Sequence, residues 1–256
     1  MTRRTTPLIL AFALLTTLPV GRWLPARIRP ADQGRSVVCY PLVGLAIGML
    51  LVLADAVLHG APLLLDAAML LAVWVIATGA LHLDGLADCV DAWFAGHGDP
   101  SRTLTVMKEP TAGPAAVVAL VLLLLIKFAA LVALLREGAE TAGLLLIVPL
   151  LARAAVAGLI ASTAYRRADG IARDQAATRP RRAIALAVLG SAAVGACAVP
   201  SGLWLLLLVV VAVVTWAWRS LWQRRIGGYT GDVAGALIEL VEAAVLIVAA
   251  WSLPWG

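Results

Sequence analysis

Apolar runs of similar length alternate with polar stretches along most of the chain. They lie at 37–58, 61–81, 112–135, 141–163, 183–200, 201–218 and 233–251. Each is close to the roughly 20 residues that cross a hydrocarbon core as a helix. The links at 58–61, 135–141 and 200–201 are tight, so the segments they join read as helical hairpins. Three longer polar loops remain, 82–111, 164–182 and 219–232. A further apolar stretch, 7–21, is short for a span and carries Thr16, Thr17 and Pro19. Arg3 and Arg4 precede it, but no small-residue cleavage site follows before Arg22, so it does not read as a signal peptide. The pattern predicts an all-α fold: a polytopic membrane helical bundle of about seven spanning helices plus a short amino-terminal re-entrant or interfacial helix. The whole chain, 1–256, reads as a single integral membrane domain.

Composition agrees. Hydrophobic residues make up 62% of the chain and its mean hydropathy is +0.96, beyond the range of soluble domains; the lipid bilayer is its first partner. The net charge of +5 invites a nucleic-acid reading, but the placement of the arginines removes it. With the three polar loops and the amino-terminal region on one side, every arginine except Arg136 and Arg153 falls on that side. This is the positive-inside bias, and it puts those loops in the cytoplasm, provided 7–21 does not cross. Cys39, Cys89 and Cys197 are odd in number and lack CxxC spacing, which argues against a disulfide framework or a zinc site.

The first polar loop opens with His82-Leu83-Asp84-Gly85-Leu86-Ala87-Asp88-Cys89-Val90-Asp91. On a helix Asp84, Asp88 and Asp91 share one face, where they repel unless a cation lies between them. Asp99, Lys108 and Glu109 follow. The plain alternative is a solvated acidic loop capping a membrane helix. His82, two residues before Asp84, is placed to bond substrate or orient an aspartate; His59 and His97 read as non-catalytic. A second motif, Gly227-Gly228-Tyr229-Thr230-Gly231-Asp232, runs into the last apolar segment. Glycines ahead of a helix expose N–H groups suited to phosphate. Asp232, Gly235, Glu239 and Glu242 then form another helical stripe. In a purely structural reading Thr230 and Asp232 cap the helix while the glutamates pair with arginine inside the bundle. Lys127 and Arg153, costly inside apolar segments, either neutralise these stripes or hold phosphate. Gly44-xxx-Gly48 and Gly231-xxx-Gly235 have the spacing of close helix contacts. No P-loop, GxSxG elbow or HExxH helix is present, which leaves acidic, magnesium-dependent phosphoryl transfer.

Leu81-His82-Leu83-Asp84-Gly85-Leu86-Ala87-Asp88 with Asp91, Asp99-Pro100-Ser101-Arg102 and Met107-Lys108 resembles the cobalamin synthase family, the adenosylcobinamide-GDP ribazoletransferases. Gly228-Tyr229-Thr230-Gly231-Asp232 with Gly235, Glu239 and Glu242 looks like that family's second motif; Thr17 with Pro19, and Pro41 with Gly44 and Gly48, fit more loosely. Glu109 and Pro110 depart from the usual aspartate and serine, and Ile238 replaces a common asparagine. The resemblance implies joining of adenosylcobinamide-GDP to α-ribazole, or its 5′-phosphate, with release of GMP and with Mg²⁺ as cofactor. It implies a bacterial cytoplasmic (inner) membrane, a site facing the cytoplasm, and other cobalamin-pathway enzymes or further copies of the chain as partners. On it, Asp84, Asp88, Asp91, Asp232 and Glu239 are the metal ligands. Asp84, Asp88, Lys108 and His82 are catalytic, with Asp99 a base or further ligand. Arg102, Arg153, Lys127, Gly228, Thr230 and Gly231 hold substrate.

Two other readings are weaker. CDP-alcohol phosphatidyltransferases resemble DxxDGxxAR followed by GxxxDxxxD, but here glycine directly follows the first aspartate and the later elements are missing. A cation-coupled transporter would use the last helix's glutamates, yet no inverted repeat is visible. Acids gathered in one pocket at the arginine-rich face favour the enzyme; a through-path favours transport.

Overall fold

The computed structural model describes residues 5–58, 60–138, 141–167 and 171–252; Arg3, Arg4 and His59 lie outside them. Twelve α-helices occur among the described residues: α1 (Thr6–Leu15), α2 (Pro30–Ser36), α3 (Tyr40–Leu58), α4 (Leu63–Thr78), α5 (Leu81–Ala95), α6 (Pro100–Val106), α7 (Pro114–Glu137), α8 (Thr141–Ser162), α9 (Ile171–Thr178), α10 (Arg181–Ala198), α11 (Ser201–Ile226) and α12 (Gly231–Trp251). Six stretches are long and apolar enough to cross a membrane: 30–58, which runs from α2 through α3, and α7, α8, α10, α11 and α12. A seventh counts only if α4 and α5, bent by 84° at their junction, are taken as one.

The polar loops are more helical than their composition implied. Residues 82–111 hold α5 and α6, and 164–182 hold α9. The expected 219–232 loop is mostly the end of α11, which runs on to Ile226. Arg219, Arg224 and Arg225 therefore sit on its last turns, where cations favour the helix carboxyl end. A left-handed Gly227 (φ 77) stops the helix.

α1 has ten residues, about 15 Å of helix and half the thickness of a hydrocarbon core, so it is too short to cross alone. It is tied to α4 instead. Gly79 and Ala80 both take left-handed backbone (φ 62 and 56), which ends α4 and turns the chain into α5. The carbonyls at this stop accept from Thr17, whose N lies 2.9 Å from Ala77 O and whose Oγ1 lies 3.0 Å from Ile76 O, which also takes the Gly79 N–H at 3.1 Å.

α8 is the axle of the bundle, with 83% of its apolar window buried against 11% for α11. α3 crosses it on the glycine pair read from the sequence. A Cβ at Gly44 would stand 2.3 Å from Pro149 O, and one at Gly48 would stand 2.4 Å from Leu146 O. Only hydrogen fits at these two points, the small-residue contact that lets membrane helices approach.

Candidate functional site

Because consecutive spans turn back at the opposite end, α5, α6, α9 and the α11–α12 turn share one end of the bundle. α5 lies across it beneath the start of α12. The crossing is close: a Cβ at Gly85 would stand 2.8 Å from Asp232 O, while the position of a Cβ at Gly235 is 3.4 Å from His82 Cα. The two acidic stripes read separately from the sequence are thereby joined. The Asp88 carboxyl, half-buried, feels Asp232, Asp84 and Asp91 as like charges and Arg167 as a counter-charge. Arg167 Nη2 donates to Asp232 Oδ2 at 2.6 Å and to Met107 O at 3.1 Å. Thr230, fully buried, caps α12 by accepting from Val233 N at 3.3 Å, and its hydroxyl donates to Asp232 Oδ2 at 3.2 Å.

The deeper acids form a different structure. Lys127 Nζ lies 2.8 Å from Glu239 Oε2 and 2.6 Å from Glu242 Oε2, and 4.6 Å from the centre of the Trp74 ring. Arg153 Nη1 pairs with Glu242 Oε1, and its Nη2 stands 3.5 Å from His82 Nδ1. Two cations and two anions balance in the buried interior, as ion pairs buried in a bundle must. Lys127 and Arg153 are 2% and 0% exposed, and of the two roles read from the sequence the structure places them in the first, paired with the glutamates of the second stripe. Glu239 is likewise turned to Lys127 and not to the aspartates.

Other expected site residues are engaged elsewhere. Asp91 Oδ2 accepts the Gly113 N–H at 2.6 Å, fastening α5 to the start of α7. Asp99 caps α6: its Oδ1 accepts from Ser101 N and Oγ, both at 2.8 Å. These hydrogen bonds hold the Asp99 carboxyl below its usual range. Arg102 and Lys108 are exposed on α6 and the turn after it. Gly228 is pressed against the Ala164 carbonyl, 2.1 Å from where its Cβ would be, and Gly231 is the exposed first residue of α12.

Among the described residues no group of three or more His, Cys, Asp or Glu side chains is gathered into a metal cage. Magnesium does not ask for one. It is commonly held by one or two carboxylates, its own waters and substrate phosphates. Asp84 and Asp88, one turn apart, with Asp232 across the crossing, fit that need in donor type, and among the described residues Arg167 is the one cation set against them; Asp91 and Glu239 are committed to other partners.

The sequence reading passed over Arg167 and Tyr229. Arg167 was counted only as one basic loop residue, since nothing local marks its pairing with Asp232, 65 positions away. Tyr229 pairs with Tyr165, ring centroids 5.4 Å apart, within a short parallel bridge between the two loops. Burial raises its phenol pKa, so it stays protonated and able to donate. It lines a cavity of about 310 Å³ together with His82, Tyr40 and Gln175.

Residues 7–250 match the family model for cobalamin-5-phosphate synthase. The adenosylcobinamide-GDP ribazoletransferase of Pseudomonas fluorescens (strain Pf0-1) is 50% identical over 242 residues, covering 94% of this chain and 97% of that protein. The protein of the same name from Stutzerimonas stutzeri (strain A1501) is 50% identical over 241 residues, covering 94% and 96%. That from Pseudomonas aeruginosa (strain UCBPP-PA14) is 49% identical over 244 residues, covering 95% and 97%. No solved structure matches the chain.

Proposed function

The chain belongs to the cobalamin-5-phosphate synthase family, and we propose that it joins adenosylcobinamide-GDP to α-ribazole or its 5′-phosphate. The products are adenosylcobalamin, or its 5′-phosphate, and GMP. What carries this reading to named atoms is the meeting of Asp84 and Asp88 with Asp232 and Arg167 at the arginine-rich end of the bundle.

A ribose hydroxyl of the acceptor attacks the phosphorus nearest the corrinoid side chain. The hydroxyl proton passes to a carboxylate, the pyrophosphate bond breaks, and GMP leaves with the bridging oxygen. One phosphodiester forms for one anhydride lost. Such transfer rests on positioning and on neutralising phosphate charge. We assign the proton to Asp88, which faces both Asp84 on its own helix and Asp232 across the crossing. Arg167 turns toward the pyrophosphate as it enters, with Lys108 and Arg102 as further cationic contacts from the α6 side. Asp84 and Asp232 are the residues that would hold magnesium, which when bound supplies neutralisation of the pyrophosphate oxygens. The arginine bias favours a cytoplasmic site in a bacterial cytoplasmic membrane.

The test is GMP release by the purified protein in liposomes with both substrates and Mg²⁺. Activity that EDTA removes, that Mg²⁺ restores and that Asp84→Asn or Asp88→Asn abolishes supports the reading. Full turnover by both variants would sink the assignment of roles.

A further inference from the structure

We propose that the groove between α8, α10 and α11 seats one acyl chain of an anionic phospholipid from the leaflet at the arginine-rich end, with Arg219 at the level of its phosphate. The site is separate from the carboxylates above and does not depend on the transferase reading.

The groove has a volume of about 490 Å³. Ala154, Ala155 and Gly158 of α8 line its floor, with Ala192 of α10 on one side and Ala212 and Arg219 of α11 on the other. Gly158 is not there for close packing. A Cβ added to it would have no atom within 4 Å, whereas at Gly44 and Gly48 only hydrogen fits. A glycine inside a helix weakens it, and here no tight contact offsets the loss; what the missing side chain leaves is room. α10 and α11 bury only 17% and 11% of their apolar windows, so the groove opens sideways to hydrocarbon.

Its length and its end indicate the occupant. The lining runs from Leu208 to Arg219 on α11 and from Leu151 to Ser162 on α8, in each case about 16 Å of helix. That is about half of a hydrocarbon core, the depth of one leaflet. A partner helix about 10 Å across would occupy about 1,200 Å³ over that length, more than the groove holds; a polymethylene chain is one carbon wide. The polar end is built as well. Arg219 Nε donates to Thr163 Oγ1 at 2.9 Å and Nη2 to Ser162 O at 3.3 Å, which fixes the guanidinium at the mouth of the groove. Neither bond uses Nη1, and no ion pair joins Arg219 to a carboxylate among the described residues. Arg181 and Arg182 at the start of α10 and Arg224 near the end of α11 are exposed at the same end. Basic groups placed between and beside spans attract anionic headgroups, and guanidinium pairs strongly with phosphate. An apolar slot one leaflet deep that ends in a fixed cation matches an acyl chain that ends in a phosphate.

Delipidated protein in detergent, titrated with phosphatidylglycerol or phosphatidylcholine and followed by native mass spectrometry and thermal unfolding, tests this. The proteins are wild type, Arg219→Gln and Gly158→Leu, with Gly190→Leu as control. Gly190 also faces open space but does not line the groove. Leucine at 158 fills the groove and favours helix over glycine, so that variant should keep the wild-type melting temperature without lipid. Phosphatidylglycerol should bind wild type and raise its melting temperature. Arg219→Gln should raise the Kd of the tightest phosphatidylglycerol about tenfold, the effect of one lost charge-assisted bond, and leave phosphatidylcholine within about twofold. Gly158→Leu should lose that lipid, and Gly190→Leu should bind as wild type does. Equal phosphatidylglycerol affinity in wild type, Arg219→Gln and Gly158→Leu overturns the proposal. Displacement of the lipid by excess glycerol phosphate also overturns it, because the site would then hold an anion and no chain. So does a wild-type dimer that Gly158→Leu makes monomeric, which would give the groove to a second copy. The binding readout stands whether or not the protein releases GMP.

Discussion

The Arg167 guanidinium is 2.6 Å from Asp232 Oδ2 and 3.1 Å from the Met107 carbonyl, so a single side chain ties the segment after α8 to the head of α12 and the turn after α6. Charge-assisted hydrogen bonds of this kind contribute about 1.5–3 kcal/mol. Arg167→Ala should therefore lower kcat/KM by roughly ten- to a hundredfold, with Arg167→Lys intermediate because lysine keeps the charge without the fork. Wild-type kinetics from the alanine variant would remove Arg167 from the site.

The α5–α12 crossing depends on a hydrogen at Gly85. The 2.8 Å approach of its would-be Cβ to Asp232 O means that Gly85→Ala must push the two helices apart. Displacements of about 1 Å can cost around a hundredfold in rate. The expected signature is a fall in kcat larger than any fall in melting temperature. An alanine variant with unchanged kcat would show that the crossing does not set the distance between the acids.

Lys127→Met strands a buried Glu239 without its cation, whereas Glu242 keeps Arg153. Removing one partner of a buried pair costs about 3–5 kcal/mol, while replacing the pair is often neutral. Thermal unfolding in detergent should show a large loss for Lys127→Met and substantial recovery for Lys127→Met with Glu239→Gln. A stable single variant with raised KM for a phosphorylated substrate would instead return Lys127 to the binding site.

Asp99 carries a pH dependence with a definite sign. Ser101 holds its folded-state pKa below the ordinary value of 3.8, so the unfolded carboxyl takes up a proton first. The contribution of the cap is complete above the unfolded pKa and fades as pH falls through the folded one. Amide protection over 101–106, taken relative to the intrinsic exchange rate, should fall in acid for wild type and not for Asp99→Ser, which caps without ionising. Turnover at neutral pH should survive that substitution; its loss, with α6 still protected, would restore Asp99 as a base or ligand.

The spans and the acidic stripes were legible because both follow from short-range periodicity. A 20-residue apolar run has one stable fate in lipid, and spacings of four and three put Asp84, Asp88 and Asp91 on one face wherever the helix goes. The glycine pair at 44 and 48 was readable for the same reason. The extent of helix in the polar loops was not, since α5, α9 and the end of α11 are held by packing and capping that a hydropathy pattern does not register. The partner of Asp91 was not legible either. Asp91 shares the stripe, yet six residues past the close contact at Gly85 its oxygen meets the Gly113 amide.

The chain's own pattern determined a helical membrane protein, its arginine-rich side and the families of acids that could do chemistry. Tertiary structure alone decided which of those acids meet. Asp88 and Asp232 are joined by a crossing between helices far apart in sequence, and Glu239, on the same stripe as Asp232, turns inward to Lys127 across 112 positions. Helical periodicity specifies the face a residue occupies and its height along the axis. What stands opposite it depends on how closely two helices approach and at what register, which here is set by Gly85 against Asp232 and by the 84° turn at Gly79 and Ala80.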